Sequence, residues 1–534
     1  MQAMSMTELE HLDDPLALRA LARQMLEAVI GERDAALATI ARQEQVLHTR
    51  ERTIVHRDAQ IAALTAEIAR LRRLQYAAKS ERMSSEQREL FEETMASDIA
   101  AVEAQLQALQ QQRLPEPQPR SPRRQPTRRA LPEHLPRVEQ RHEPQSCTCP
   151  QCHGTLVAIG EHVSERLAVK PLQFYVLRDI YPQYACRACE QVVAQAVAPA
   201  LIERGQADAS VLAQVAVAKY VDHLPLYRQE ALYARSGVCL ARSTLAEWIG
   251  AIGVALQPLA DRLAEKLRAQ PTLHADETPV ALLDAKAGKT KRAYLFAYTN
   301  ARYLGCDPPM VLFEFQPNRS GQHAKDFLGD WQGSLMVDEY SGYKGLWPQG
   351  ITELGCWAHV RRKWFEQHAA SGSAIAAEAL VRIGVLYRIE REALHMSVSE
   401  RQAHRQRHAV AALTALKTWL DELQPTLMGN SGTQRALLYT LRRWDALVRY
   451  AEDGSLPIDN NVIENAIRPI ALGRKNWLFA GSQQAGERAA AIMSLLATAK
   501  ANGIEPHAWL TDTLTRLPTT LYRDIDALLP LRTA

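Results

Sequence analysis

In the stretch LHADETPVALLD, residues 273–284, two adjacent acids, Asp276 and Glu277, interrupt an apolar run with strand-like alternation. A carboxylate carried into a core without a partner is strongly destabilising or is forced to protonate. A core strand that ends on Asp276 therefore calls for a cation at that point. A second acid, Asp338, directly follows the apolar run Ser-Leu-Met-Val. A third, Glu464, lies in a helix-like stretch where Asn461, Glu464, Asn465 and Arg468 fall at i, i+3, i+4 and i+7 and so share one face. Close carboxylates raise one another's pKa, and an oxygen-preferring divalent ion, Mg²⁺ or Mn²⁺, removes the conflict. Two such ions could activate a water or a 3′-hydroxyl and stabilise the leaving oxygen of an in-line phosphoryl transfer. By strand alternation, Glu277 should face away from Asp276.

A different chemistry sits upstream. Cys149 and Cys152 form one Cys-x-x-Cys pair, and Cys186 and Cys189 form another. Each pair can set two thiolates on a tight turn, and two turns complete a closed tetrahedral site for one structural Zn²⁺. The segment between them alternates as strands do, which fits a zinc ribbon over 146–200. Cys147 is a spare thiol that could exchange with a ligand. Cys356 and His359 make a Cys-x-x-His pair with no second pair nearby in sequence. For His359, with Arg361, Arg362 and Lys363, approach to a phosphate is the expected role, and Cys356 and Trp357 could equally be packed core.

Elements must position these groups. From residue 272, TLHADETPVALL, KRAYLFAYTN and MVLFEFQPN read as three strands, SGQHAKDFLGDW as a helix, and GSLMVDEYSGY and ITELG as two further strands. That order predicts an RNase H-like mixed α/β sheet over 266–500, with the first and fourth strands adjacent at its centre. Asp276 and Asp338 then fall at one level. A helix-forming stretch at about 370–440 separates Asp338 from Glu464, and a helical tail spans 501–534. Over 201–265 three helices are expected, the second ending at Gly237 and the third capped by Ser243. Helix, glycine turn, helix matches a helix-turn-helix, with Arg242, Ser243 and Thr244 leading the element that would meet DNA. Arg468, Arg474 and Lys475, downstream of Glu464, are further candidates for phosphate contact. Trp444 and Trp477 are expected in the core.

Residues 1–112 are rich in helix formers, with Ile40, Leu47, Ile54, Ile61 and Ile68 seven apart and Leu64 and Leu71 three residues behind the last two. This predicts a coiled-coil arm and self-association into a homo-oligomer. Polar Gln43, Arg50 and Arg57 make the seam imperfect. Residues 113–145 are dense in Pro and Arg; from Arg113 to His142 there are eight Arg against three Glu. Such a linker is extended and can neutralise DNA phosphates. The chain of 534 residues carries a net charge of only +3, so the partner is indicated by where the charges lie rather than by their sum. No apolar run approaches the ~20 residues of a membrane span, and the start lacks a secretory pattern, so a cytoplasmic, nucleoid-associated protein is expected.

Taken together, HADETPV, VDEYSGY, GCWAHVRRKWFE and PIDNNVIENAIRPIALGRKNWLFAGS closely resemble the large transposase of the insertion-sequence-66 family. The likeness extends over nearly the whole chain, departing at Gln75-Tyr76-Ala77, where the family pattern has Phe-Gly. It implies a DDE-type enzyme with Asp276, Asp338 and Glu464 as catalytic acids, acting on element ends and target DNA. It also implies an insertion between the second and third acids, here 126 positions apart, and two small accessory proteins as partners. A nuclease of the same fold that cuts without joining, and a non-catalytic zinc-dependent DNA-binding regulator, are the alternatives.

Overall fold

The computed structural model describes residues 131–142 (apart from 132 and 134), 151, 154, 156–170, 173–203, 205–284, 288–301, 308–427 and 431–532, with scattered helical positions between 23 and 105. In the arm, Ile61 and Leu64 are half-buried and Ile68 is buried. The rest of the heptad series, Ile40, Leu47, Ile54 and Leu71, lies outside the described residues, as do Cys147, Cys149 and Cys152.

A first sheet has strands β1 (Arg137–Arg141), β2 (Leu156–Lys170), β3 (Gln173–Cys186) and β4 (Val192–Ala194), with β3 pairing all the others. β2 and β3 form one long antiparallel hairpin, with Val169 opposite Phe174 near the turn and Leu156 opposite Cys186 at the far end. Three helices follow: α1 (Ala209–Tyr220), α2 (Leu226–Arg235) and α3 (Arg242–Arg268). Gly237 turns the chain between α2 and α3 at φ 78°, a left-handed conformation that glycine adopts without a Cβ penalty. Ser243 is not the cap expected of it: Ala241 holds that position and Arg242 already opens the helix. α3 continues to Arg268, because Leu256, Leu259, Leu263 and Leu267 keep its apolar stripe buried. These helices share one core with β2, β3 and the next sheet.

The second sheet comprises β5 (Thr272–Asp284), β6 (Lys289–Asn300), β7 (Val311–Gln316), β8 (Ser334–Val337) and β9 (Thr352–Gly355) in the order β7-β6-β5-β8-β9. β5 to β7 are antiparallel neighbours, while β5-β8 and β8-β9 are parallel. α4 (Gly321–Leu328) connects β7 to β8. β5 does not end at the acids. Its pairing with β6 continues to Asp284, and it is the parallel pairing with β8 that stops at His274.

The far side of the sheet is covered by α11 (Asn461–Trp477) and α12 (Gln483–Ala501), with Ile463, Ile467, Ile470 and Met493 packed on β5 to β7. α12 also takes the place of a missing strand beside β7. Ser494 Oγ accepts the Phe313 N–H at 2.8 Å, Thr498 Oγ1 accepts the Val311 N–H at 3.0 Å, and Asn502 Nδ2 donates to the Pro309 carbonyl at 2.8 Å. Four helical residues advance ~6 Å and two strand residues ~6.7 Å, so the two series stay in step. α13 (Pro506–Arg516) closes the chain against the first core through Leu510 and Leu514.

Between β9 and α11 stands a helical subdomain with its own core: α5 (Trp357–Ser371), α6 (Ala374–Glu392), α7 (Val398–His404), α8 (Val410–Leu423), α9 (Gly432–Arg442) and α10 (Trp444–Val448). Trp357 and Trp364 are fully buried there, and Trp444 meets Trp357 edge-on at 6.0 Å. Arg405 is buried as well, held by Glu390 at 2.7 Å and by the Tyr450 and Asp453 carbonyls.

Ser494 is fully buried, so Ser494→Ala leaves the Phe313 N–H without a partner. Urea unfolding should show a loss of roughly 1–3 kcal/mol; an unchanged midpoint would mean that the helix-to-strand ladder contributes nothing.

Candidate active site

The parallel register sets Thr272 opposite Ser334, Leu273 opposite Leu335 and His274 opposite Met336. Two residues further along each strand stand Asp276 and Asp338, at one level where β8 ends. Asp276 is half-buried, and its Oδ1 accepts the Glu277 N–H at 2.8 Å. Asp338 Oδ1 accepts the Tyr340 N–H at 2.8 Å, a local turn that ends the strand. Removal from water, then the Glu277 and Asp338 carboxylates, push the Asp276 carboxyl up to about 8.

Glu277 faces the opposite side of the sheet and has what Asp276 lacks. Arg319 Nε donates to its Oε1 at 2.7 Å, and the buried Tyr343 hydroxyl donates to its Oε2 at 2.9 Å. Tyr340 stacks on the Arg319 guanidinium, 3.9 Å from ring centre to Cζ. Glu277 is a neutralised structural carboxylate; burial raises its pKa and Arg319 opposes that. Asp276 has no cationic partner among the described residues. Arg319 and Tyr343 escaped the sequence reading, because nothing local to them shows that they converge on Glu277.

Glu464 sits in the first turn of α11. Asn460, just before that helix, ties it to β5: its Nδ2 donates to the Ala275 carbonyl at 3.0 Å and its Oδ1 pairs with His274 Nδ1 at 2.8 Å. Glu464 Oε2 accepts from Arg362 Nη2 at 2.9 Å. Its Oε1 lies 3.6 Å from His359 Nδ1, and both of these buried atoms lack a hydrogen bond among the described residues. Cys356, His359 and Glu464 each offer a ligand atom within 4.8 Å of the others, whereas the three acids do not form such a set among the described residues. The Cys356 thiol, pushed up to about 12 by burial, accepts the Asn460 N–H at 3.2 Å and is part of the packed core. Burial lowers the His359 pKa. An uncompensated Asp276 and an orphaned Glu464 oxygen fit a divalent cation held by oxygen ligands.

The helical subdomain reaches back into this site. Arg443, at the end of α9, is buried. Its Nη1 donates to the Asp338 carbonyl at 2.9 Å and its Nη2 to the Val337 carbonyl at 3.4 Å, while Glu353 balances the charge at 2.9 Å. The backbone that carries Asp338 is thus gripped by a residue 105 positions away.

The other candidate residues are scattered. Arg361, Arg362 and Lys363 are exposed on α5, and Arg468 and Lys475 are exposed on α11. Asn461 turns back to Asp459, with its Nδ2 2.7 Å from Oδ2. Arg474 bonds the Pro279 carbonyl and so pins α11 to β5. Arg242 pairs with Glu230 at 3.2 Å; beside it Ser243 is exposed and Thr244 half-buried. Trp477 is half-buried on the sheet-facing core. Cys186 is buried at the end of β3, and Cys189 is exposed in the tight turn that Glu190 closes at φ 58°. Their expected partners, Cys149 and Cys152, lie outside the described residues. No helix among the described residues is long and apolar enough to cross a membrane.

Residues 204–488 match the family described as Transposase IS66 family, and 494–531 match the IS66 C-terminal element. Residues 146–190 match the zinc-finger binding domain of transposase IS66, and 63–139 match Transposase C of IS166 homeodomain. Among curated proteins, the chain is 38% identical to uncharacterized protein y4qI of Sinorhizobium fredii (strain NBRC 101917 / NGR234), over 97% of each chain. It is 37% identical to y4jD of the same organism, over 75% of this chain and 81% of the relative.

Two outcomes are expected. In metal-free protein, native Asp276 holds a proton that the unfolded chain, with an aspartate pKa of ~4, has already lost. Stability should therefore fall as pH rises from there towards about 8, and Asp276→Asn should flatten that slope in urea titrations. Separately, Arg443→Met should cost roughly 3 kcal/mol in chemical unfolding, because Glu353 and two carbonyls lose their partner, and Arg443→Lys should cost less. Equal unfolding of all three proteins would remove the clamp.

Proposed function

Because the chain belongs to the transposase IS66 family, we propose that it is a metal-dependent DNA transposase that cuts at element ends and joins them to target DNA. The observation that carries this reading is the register of β5 and β8, which aligns Asp276 with Asp338, with Asp276 lacking a cationic partner among the described residues. The strand order β7-β6-β5-β8-β9, with α11 and α12 behind it, supports an RNase H-like core. Asp276, Asp338 and Glu464 would hold Mg²⁺ or Mn²⁺, which when bound lowers the pKa of an attacking water or 3′-hydroxyl and stabilises the leaving oxygen.

The chain's own residues do the rest. Asn460 and Arg474 fix α11 on β5, and Arg443 fixes the backbone of Asp338. Arg362 holds Glu464 until a phosphate arrives; the phosphate competes for the guanidinium and frees the carboxylate to turn towards the aspartates. His359 lies against the same carboxylate, and Arg361, Lys363, Arg468 and Lys475 present exposed positive charge for backbone phosphates. The zinc-finger region, with Cys149, Cys152, Cys186 and Cys189 as ligands, the basic linker, and the α2–α3 turn with Arg242, Ser243 and Thr244 would bind the element ends. Pairing of arms into a homo-oligomer would bring two ends together, and two small accessory proteins are candidate partners. The setting is a cytoplasmic, nucleoid-associated one.

Glu464→Gln should retain binding of DNA flanking its own gene. Its Mg²⁺-dependent nicking should fall by on the order of 100-fold or more, beyond the 10–100-fold typical of outer-shell partners. Full nicking by this variant would reject the acid assignment. Cleavage by the wild type without strand transfer from pre-cut ends would make it a nuclease instead.

A further inference from the structure

A cavity of about 630 Å³ opens between α5 and α6 on the flank of Glu464, within the size range of small-ligand sites. Its wall carries Arg361, Arg362 and Phe365 from α5 and Gly384, Tyr387 and Arg391 from α6. The charges are available. Arg361 and Arg391 make no side-chain ion pair among the described residues, and Arg362 reaches from the wall to Glu464 at 2.9 Å. Phe365 is 51% exposed amid these cations and makes no ring or cation contact among the described residues.

Gly384 supplies an independent sign. It lies in the middle of α6, where glycine weakens a helix relative to alanine. A Cβ built on it would meet nothing within 4 Å, so packing inside the protein does not require glycine there. The open floor, the exposed ring opposite and the free guanidiniums fit one kind of occupant: a flat ring on an anionic backbone.

We propose that this cavity receives an unpaired nucleotide of the DNA strand bound at Glu464. Phe365 stacks on the base, Gly384 leaves room for it, and Arg361 and Arg391 hold the flanking phosphates. The proposal rests on the transposase reading for its location, but binding alone can test it. Tyr387 shapes the wall and keeps its hydroxyl on Asp459 at 3.0 Å, so it is not counted among the nucleotide's donors.

The test uses the full chain in EDTA, with anisotropy of a short fluorescein-labelled oligothymidine and of a blunt duplex. Phe365→Ala should weaken oligothymidine binding about tenfold, the effect expected from losing one stacking platform. Phe365→Trp should restore it. Gly384→Leu, which fills the cavity and suits a helix, should match Phe365→Ala without lowering the melting temperature. Duplex binding should stay within about twofold for all three, since phosphate contacts elsewhere carry it. Unchanged oligothymidine binding by Phe365→Ala and Gly384→Leu overturns the proposal. So does an equal loss for the duplex, which would mark a plain phosphate surface. Wild-type nicking with Mg²⁺ is scored separately: its absence with single-strand selectivity intact would reject the catalytic reading and leave the pocket standing.

Discussion

The structure depends on the short parallel contact between β5 and β8. Only three residue pairs join the two strands, yet they decide that Asp276 and Asp338 meet at the same height. A slip of one residue would turn one carboxylate to the opposite face. The surrounding structure guards that register from several directions. Asn460 holds the carbonyl next to Asp276, Arg443 holds the carbonyl of Asp338, and Glu277 anchors the reverse face through Arg319 and Tyr343.

Two neighbouring acids on one strand thus have opposite fates. Glu277 is buried with a cation and a hydroxyl and is electrically settled. Asp276, one residue earlier, has a backbone N–H and three carboxylate neighbours, and burial and their charge raise its pKa. The imbalance is local and comes from the alternation of the strand. It separates a carboxylate that maintains the fold from one that has no cationic partner among the described residues.

Much of this was legible in the sequence. The succession of strands and the helix carrying Glu464 follow from short-range apolar periodicity; the adjacency of the first and fourth strands follows from the RNase H-like layout that this succession matches, and the helical insertion from the family resemblance. The failures share a cause. Ser243 has the composition of a helix cap, but α3 opens one residue earlier at Arg242, and a buried leucine stripe carries the helix on to Arg268. Glu464 was expected to join the aspartates, and in the structure it is drawn to Arg362 and His359. Arg443 and Arg319 gave no signal, because a guanidinium that bonds backbone carbonyls or a distant acid has no local pattern. Arg474, a candidate for phosphate contact, also bonds a carbonyl of β5, a role that its sequence position does not announce.

The ladder of Ser494, Thr498 and Asn502 along β7 has a bearing on assembly. At the opposite margin Arg449 occupies the Glu353 carbonyl of β9 at 2.6 Å. Helical side chains thus occupy a row of backbone groups along β7 and one carbonyl of β9. Extending the sheet along β7 with a second copy would first have to displace Ser494, Thr498 and Asn502 from the backbone groups they occupy.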